Sequence, residues 1–128
     1  MKIVKRSQLK HERLVSETTG EQYSFSAVLS NALQSEDFFI HHEIVPPGAR
    51  ASSPHCHLRT EEMVLVLEGK ASVYEGDTRE EIEAGDCALL HANSTSLHFV
   101  ANETDSKIEL IVITKKLEVN DTVVAMRG

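Results

Sequence analysis

Aromatic residues and cysteine are scarce in this chain of 128 residues, which contains no tryptophan, four phenylalanines, two tyrosines and two cysteines. So few aromatic rings argue against a site for a large aromatic substrate. The basic N-terminal segment lacks the apolar stretch of a signal peptide. We therefore expect a cytoplasmic protein whose two thiols are free rather than bridged.

Clustered positive charge and long apolar runs are also missing. The net charge is −7, and no group of lysines and arginines is long enough to follow a phosphate backbone. Nucleic acids and anionic membranes are therefore not expected partners. The apolar runs, such as residues 108–113, are far shorter than the ~20 residues of a membrane-spanning helix. The chain also lacks a nucleophile motif, a phosphate-binding loop and a paired-carboxylate set.

Short β-rich runs separated by turn residues dominate the rest of the sequence, whereas helix signals are weak. This pattern predicts an all-β sandwich or barrel. We divide the chain into an N-terminal arm (1–22), a barrel (23–116) and a C-terminal tail (117–128). Strands are expected at 23–29, 38–45, 55–57, 62–74, 80–83, 87–90, 97–101 and 107–114, with a polar loop at 29–37.

Two of these runs, residues 63–67 and 108–113, are apolar at successive positions and not only at alternate ones. A strand of this kind needs an apolar cover on both faces. One face can fill the interior of the barrel. A second copy of the chain would cover the other, so a homodimer is expected.

Three histidines and one glutamate form the most informative pattern. His55 and His57 are one residue apart on a predicted strand, so both side chains point to one face. Glu62 opens the next apolar run, and His98 lies on a distant strand. Three imidazoles and a carboxylate suit one divalent transition ion, namely Fe, Mn, Ni, Cu, Co or Zn. The alternative is a pair of surface histidines with an unrelated glutamate.

The spacing of these residues resembles the two motifs of the cupin superfamily. The first motif corresponds to Gly48, His55, His57, Glu62 and Gly69. The second corresponds to Gly85, His98 and Asn102, after a spacer of fifteen residues from Gly69. The resemblance covers residues 38–114. It implies a double-stranded β-helix, or jelly-roll, barrel that is usually dimeric, with the three histidines and Glu62 as metal ligands.

The resemblance also decides between two adjacent glutamates. Glu62 is favoured over Glu61 because the six-residue gap to Gly69 counts from Glu62. The loop before the last histidine is two residues longer than the family pattern and carries histidine and asparagine where proline and glycine are usual. The spacing from His98 to Asn102 is intact, so His98 remains the fourth predicted ligand.

Other polar residues near the motifs have open roles. Adjacent His41 and His42 lie on one strand, so one should point inward and the other outward. His91 is expected to be an exposed turn residue, and a role near the ligand stays open. Arg50 and Arg59 could bind an anionic substrate group, although surface solvation is the default.

The resemblance implies a metal site but not one reaction, because cupins carry many functions. A metal-dependent enzyme acting on a small polar molecule is expected, with dioxygenase chemistry first. The alternatives are a sugar or sugar-phosphate isomerase or epimerase, a lyase or decarboxylase, and a non-enzymatic cupin that binds a small molecule. No residue is assigned a catalytic role at this point.

Overall fold

The computed structural model describes residues 1–117 and 120–124, and these form eleven β-strands and one short α-helix. In chain order the strands are β1 (Glu12–Val15), β2 (Gln22–Val28), β3 (Phe38–Val45), β4 (His55–His57), β5 (Glu62–Glu68), β6 (Lys70–Glu75), β7 (Thr78–Glu83), β8 (Cys87–Leu90), β9 (His98–Ala101), β10 (Ile108–Lys115) and β11 (Thr122–Val124). Helix α1 spans Leu29–Leu33. The all-β fold class predicted from the sequence is confirmed.

The strands form two antiparallel sheets. One has six strands in the order β1-β2-β3-β10-β5-β8, and the other has five in the order β11-β4-β9-β6-β7. Strands β4 and β5 are adjacent in the chain but belong to different sheets. The short segment between them therefore crosses from one sheet to the other, and residues at its two ends lie close together in space.

The hydrophobic core lies between the two sheets. Its buried members come from both of them: Val45, Ala51, Val64, Val66, Ala71, Val73, Leu90, Val100, Ile108 and Leu110. Alternate residues of a strand point to the same face, and accordingly Val64 and Val66 are fully buried while Leu67 remains 46% exposed. Strand β5 thus packs one row of side chains into the core and presents the other row on the outer face of the six-stranded sheet.

Gly69 divides the stretch 62–74, predicted as one strand, into β5 and β6. Its φ is +84°, and a Cβ atom at this position would lie 2.6 Å from Cγ2 of Ile108. Both the left-handed backbone and the close approach favour glycine. The bend lets one continuous stretch of chain, residues 62–75, supply a strand to each sheet.

The expectation of a polar loop at 29–37 was wrong for its first half, where α1 lies. A helix of five residues is too short to produce a 3.6-residue hydrophobic period. A contact between the helix and strand β3 stabilises the helix instead. Ser30 is buried, and its Oγ accepts a hydrogen bond of 3.2 Å from the backbone N–H of Ile40 on β3.

Strands at both ends of the chain join the sheets. Strand β1, within the segment described as an arm, pairs with β2, and β11, within the segment described as a tail, pairs with β4. The division of the chain at residues 22 and 116 stays a prediction. Within the described residues, no helix has the length and apolar character needed to cross a lipid bilayer.

Candidate metal centre

The four side chains predicted as ligands come together between the two sheets. His55 and His57 lie on β4, and His98 lies on the neighbouring strand β9, directly opposite His55. Glu62 opens β5 in the other sheet. One potential ligand atom from each of the four residues lies within 4.8 Å of the other three. This group could hold a metal ion.

The carboxylate of Glu62 lies at the centre of the group. Its Oε2 is 2.9 Å from Nε2 of His57 and 3.5 Å from Nε2 of His55. Its Oε1 is 3.8 Å from Nε2 of His98. Atoms that each bind one ion at about 2.1 Å are ~3–4 Å apart. The observed separations therefore match those of a shared ion.

The Nδ1 atoms of His55 and His57 each have a hydrogen-bond partner outside this group of four residues. Nδ1 of His55 lies 2.8 Å from the carbonyl oxygen of Ser53. Nδ1 of His57 lies 3.1 Å from Oδ1 of Asp121 and 3.3 Å from Oγ1 of Thr122. A proton on Nδ1 donated to these acceptors leaves Nε2 with the lone pair that a metal ligand needs.

His98 supplies the strongest indication that an ion fits. The residue is only 1% exposed, yet neither ring nitrogen has a hydrogen-bond partner among the described residues. A buried polar atom without a partner costs about 1–3 kcal/mol. An ion bound at Nε2 would remove that deficit at one of the two nitrogens. Burial also lowers the pKa of His98 to about 4, so the ring is neutral near pH 7, as a ligand must be.

In the metal-free protein, Glu62 forms ion pairs with His55 and His57. Burial by itself would raise the pKa of Glu62, but hydrogen bonds from His55 and His57 outweigh it and hold that pKa far below its usual range. Burial alone would lower the pKa of His55, yet the contact with Glu62 makes the net shift upward. Hydrogen bonding to Glu62 raises the pKa of His57 as well. A metal cation would replace the protons on these two imidazoles.

A cavity of about 320 Å³ opens beside the group and is large enough for a small organic molecule. Apart from His55, His57 and Glu62, its lining is Leu14, Phe39, His41, Glu43, Ala51, Ser52, Ser53, Val112, Thr114, Thr122 and Val124. The wall is mixed, with aliphatic and aromatic carbon on one part and hydroxyl, imidazole and carboxyl groups on another.

Glu43 is a second carboxyl group in this cavity. It lies on β3 and is only 7% exposed, and the Oγ of Ser24 donates a hydrogen bond to its Oε1. Burial raises the pKa of Glu43 to about 7, against the effect of the Ser24 bond and helped by the negative charge of Glu62. Near neutral pH this carboxyl can therefore give or take a proton.

The other histidines of the central strands have the arrangement expected from strand alternation. His41 lines the cavity, whereas His42 contacts His11 and Glu109 on the outer face. The side chain of His91 is 76% exposed and lies 3.3 Å from the Glu61 carboxylate. His91 and Glu61 are thus surface residues, as expected.

Neither arginine of the motif region lines the cavity. Arg50 forms a bidentate ion pair with Glu21, with a shortest distance of 2.6 Å. Arg59 belongs to a different depression, and its backbone N–H donates to Asp121. The guanidinium of Arg50 is thus bound to Glu21, and the side chain of Arg59 is exposed.

Two residues of the site were missed from the sequence, Asp121 and Glu43. Asp121 Oδ2 accepts hydrogen bonds from the backbone N–H groups of Arg59 and Thr60 at 2.9 and 3.0 Å, while Oδ1 faces His57. No motif or spacing signals Asp121. Glu43 has a signal, because it shares its strand face with His41, two residues earlier.

Comparison with protein families agrees with this geometry. The family model for the cupin domain matches residues 41–114, which is more than half of the chain. The chain is a cupin. The resemblance to the cupin superfamily and the predicted double-stranded β-helix fold are both confirmed. No curated protein is significantly similar in sequence to this cupin.

Solved structures show the same fold at low sequence identity. A sugar phosphate isomerase of the cupin superfamily from Silicibacter pomeroyi aligns with a TM-score of 0.79 and 22% identity, over 91% of this chain and 78% of that one. A polyketide cyclase from Streptomyces resistomycificus gives 0.77 and 20%, over 98% and 87%. A predicted oxalate decarboxylase from Thermotoga maritima gives 0.74 and 19%, over 90% and 99%. These similarities concern the fold, not the reaction.

Proposed function

We propose that this cupin binds one divalent transition metal ion through His55, His57, Glu62 and His98 and is a metal-dependent enzyme acting on a small polar molecule. One observation carries the proposal. The ligand atoms converge within 4.8 Å beside a cavity, and the buried ring of His98 has no hydrogen-bond partner among the described residues. The choice among Fe, Mn, Ni, Cu, Co and Zn stays open.

A bound ion would polarise a ligand oxygen, acidify a coordinated water or, if redox-active, react with dioxygen. Residues of the chain would hold the ligands of the ion in place. Ser53 and Asp121 hold the two imidazoles of β4 in one orientation. The apolar residues of the cavity wall, such as Phe39 and Val112, would contact the carbon atoms of the ligand. Dioxygenase chemistry remains the first candidate.

Isomerisation is the second candidate, and a specific observation favours it. Glu43 lines the same cavity with a pKa of about 7, and a carboxyl of that kind suits general acid–base catalysis. The structural similarity to a protein described as a sugar phosphate isomerase is compatible with this chemistry. Binding of a small molecule without turnover is the third outcome to test.

The test begins with elemental analysis of protein purified without a histidine tag. We expect close to one metal ion per chain, or binding of one ion on reconstitution. The His57→Ala variant should lose the ion, whereas the matched variant His42→Ala, outside the site, should retain it. Absence of any stoichiometric metal from the wild-type protein overturns the proposal.

Metal-loaded protein is then screened with small polar compounds in two ways. Oxygen consumption in air that depends on the ion supports the dioxygenase. Incorporation of deuterium from D₂O without oxygen supports the isomerase. Saturable binding with neither signal identifies a binding protein and removes the enzymatic part of the proposal.

The dimer expected from the sequence is also a proposal. The outer row of β5, together with β8 and β10, leaves apolar side chains such as Leu67 and Leu89 nearly half exposed. A second copy of the chain would bury this face. Light scattering at micromolar concentration should give twice the mass of the chain, and a monomeric mass would refute the dimer.

A further inference from the structure

Glu43 is a buried carboxyl group that does not belong to the four predicted metal ligands. It sits at the wall of the cavity, on a different strand from all four predicted ligands. A carboxyl in such a place is costly to bury unless its oxygens are bonded. A role in binding the ligand would explain the position of Glu43 in the cavity wall.

Only one of the two carboxyl oxygens is occupied. Ser24 donates to Oε1, and Oε2 has no hydrogen-bond partner within residues 1–117 and 120–124. The hydroxyl of Ser24 also lies 3.2 Å from the carbonyl oxygen of Ala51, a second acceptor that competes for its single proton. Ser24 thus orients the carboxyl and leaves Oε2 for a donor that a ligand brings.

The charge of the cavity restricts what that ligand is. Among the described residues that line it, none is lysine or arginine. The carboxylates of Glu43 and Glu62 together offset the charge of a divalent ion. An anionic group such as phosphate would therefore meet no unpaired positive charge here.

The nearest lysines lie beside the cavity and are not part of its lining. Lys115 and Lys116 line an adjoining depression that shares Phe39, His57, Thr114 and Thr122 with the cavity. Nζ of Lys116 donates to the carbonyl oxygen of Ser35 at 3.1 Å. Arg50 is paired with Glu21. The apolar part of the wall, including Phe39 and Val112, matches a carbon skeleton rather than a charged group.

We propose that the ligand of this cavity is an uncharged, hydroxyl-bearing small molecule, and that Glu43 binds it by accepting a hydrogen bond from a hydroxyl group at Oε2. The inference rests on the proposed function, because the ion fixes the other end of the ligand. It separates two alternatives left open by the sequence, since it favours a free sugar or polyol over a sugar phosphate.

Three compounds of increasing polarity test the inference: hydroxyacetone, dihydroxyacetone and dihydroxyacetone phosphate. The first lacks the second hydroxyl group, the second has it, and the third replaces it with a phosphate. Binding is followed by the visible spectrum of the Co(II)-loaded protein at pH 8, where Glu43 is ionised. We expect dihydroxyacetone to bind about tenfold more tightly than hydroxyacetone, the gain from one charge-assisted hydrogen bond. Dihydroxyacetone phosphate should bind no more tightly than hydroxyacetone.

Two variants of Glu43 assign the preference to its carboxyl. Glu43→Leu should abolish the preference for dihydroxyacetone, and Glu43→Gln should reduce it below about threefold, because a neutral bond replaces a charge-assisted one. The Gln variant guards against misfolding of the Leu variant. Glu61→Gln, at an exposed carboxylate outside the cavity, is the matched control and should keep the full preference.

Contrary outcomes separate this inference from the proposed function. Failure of the wild-type protein to bind Co(II) overturns both. Normal Co(II) binding with no spectral response, an equal response to the three compounds, or the strongest response to the phosphate overturns only the inference about Glu43. A preference that survives in both Glu43 variants also overturns it.

Discussion

Two clusters of histidine and glutamate lie on opposite faces of the six-stranded sheet, and only one of them is suited to an ion. The inner cluster consists of His55, His57, Glu62 and His98, and the outer cluster consists of His11, His42 and Glu109. In the outer cluster the rings bond to one another, with Nε2 of His11 2.7 Å from Nδ1 of His42. Nε2 of His42 lies 3.2 Å from the Glu109 carboxylate. Both ring nitrogens of His42 therefore have partners within the outer cluster.

The inner cluster directs its Nε2 atoms at one point and is supported from outside. Ser53 and Asp121 bond the Nδ1 atoms, while His98 has no hydrogen-bond partner among the described residues. Glu109 is also neutralised by Arg6 and Lys107, whereas the described partners of Glu62 are the three histidines. Convergent ligand atoms and a buried imidazole without a hydrogen bond, rather than residue types, therefore distinguish the inner cluster from the outer one.

The largest effect is expected when the central carboxylate of each cluster loses its charge. Glu62→Gln should weaken metal binding by more than about 100-fold, because loss of a direct ligand exceeds the usual cost of losing an outer partner. Glu109→Gln should leave metal binding unchanged. Isothermal titration of chelator-treated protein measures both. Equal affinities in the two variants would show that the clusters do not differ as described.

A smaller effect is expected from the support behind the inner cluster. Asp121→Asn weakens the acceptor for Nδ1 of His57 but can still accept a backbone N–H bond. Metal affinity should fall about 10- to 100-fold. The same titration measures it, with thermal unfolding of the metal-free variant as the control for folding. An unchanged affinity would mean that His57 needs no orienting partner.

The pH dependence of stability should reveal His98, the inner histidine without a hydrogen bond among the described residues. Burial depresses the pKa of His98 to about 4, below its ordinary value of 6.5. Between these values the unfolded chain binds the extra proton, so the contribution of His98 to the free energy of unfolding falls as pH drops from 6.5 to 4. In metal-free protein, His98→Leu should reduce this loss by about 1–3 kcal/mol.

The corresponding outer variant sharpens the comparison. Burial also lowers the pKa of His42, but the Glu109 carboxylate opposes that shift. His42→Leu should therefore flatten the same pH profile less than His98→Leu does. Urea denaturation at a series of pH values measures the free energy of unfolding. A larger effect at His42 would reverse the proposed order of the two clusters.

The smallest effect is expected for the stability of the outer network. Its cations are half exposed, at 55% for Arg6 and 51% for Lys107, and exposed ion pairs contribute little. Glu109→Gln should lower the free energy of unfolding by less than about 1 kcal/mol. Chemical denaturation near neutral pH measures this difference. A loss of several kcal/mol would show that the outer cluster is a buried structural network.

Local patterns allowed much of the inner cluster to be predicted from the sequence. The one-residue spacing of His55 and His57 predicts a shared strand face. The resemblance to the cupin motif, through the gap from Glu62 to Gly69, favours Glu62 over Glu61. The structure brings these residues together with His98. Strand β3 also has the predicted bounds, because turn residues end it at Pro46.

The parts that were missed depend on contacts between segments far apart in the chain. Asp121 approaches His57 only because β11 pairs with β4. No periodicity in the sequence specifies that pairing. Helix α1 depends on the contact of Ser30 with β3, and the outer cluster depends on His11 reaching His42. Propensity and spacing act locally, so they do not reveal such pairings.

Anomalous scattering from crystals of the metal-loaded protein, collected on both sides of the absorption edge of the ion, tests the central claim most directly. We expect one strong peak per chain, within coordination distance of the Nε2 atoms of His55, His57 and His98 and of the Glu62 carboxylate. No peak should occur at the outer cluster. A fully loaded protein whose peak lies elsewhere, or between His11 and His42, would contradict the account.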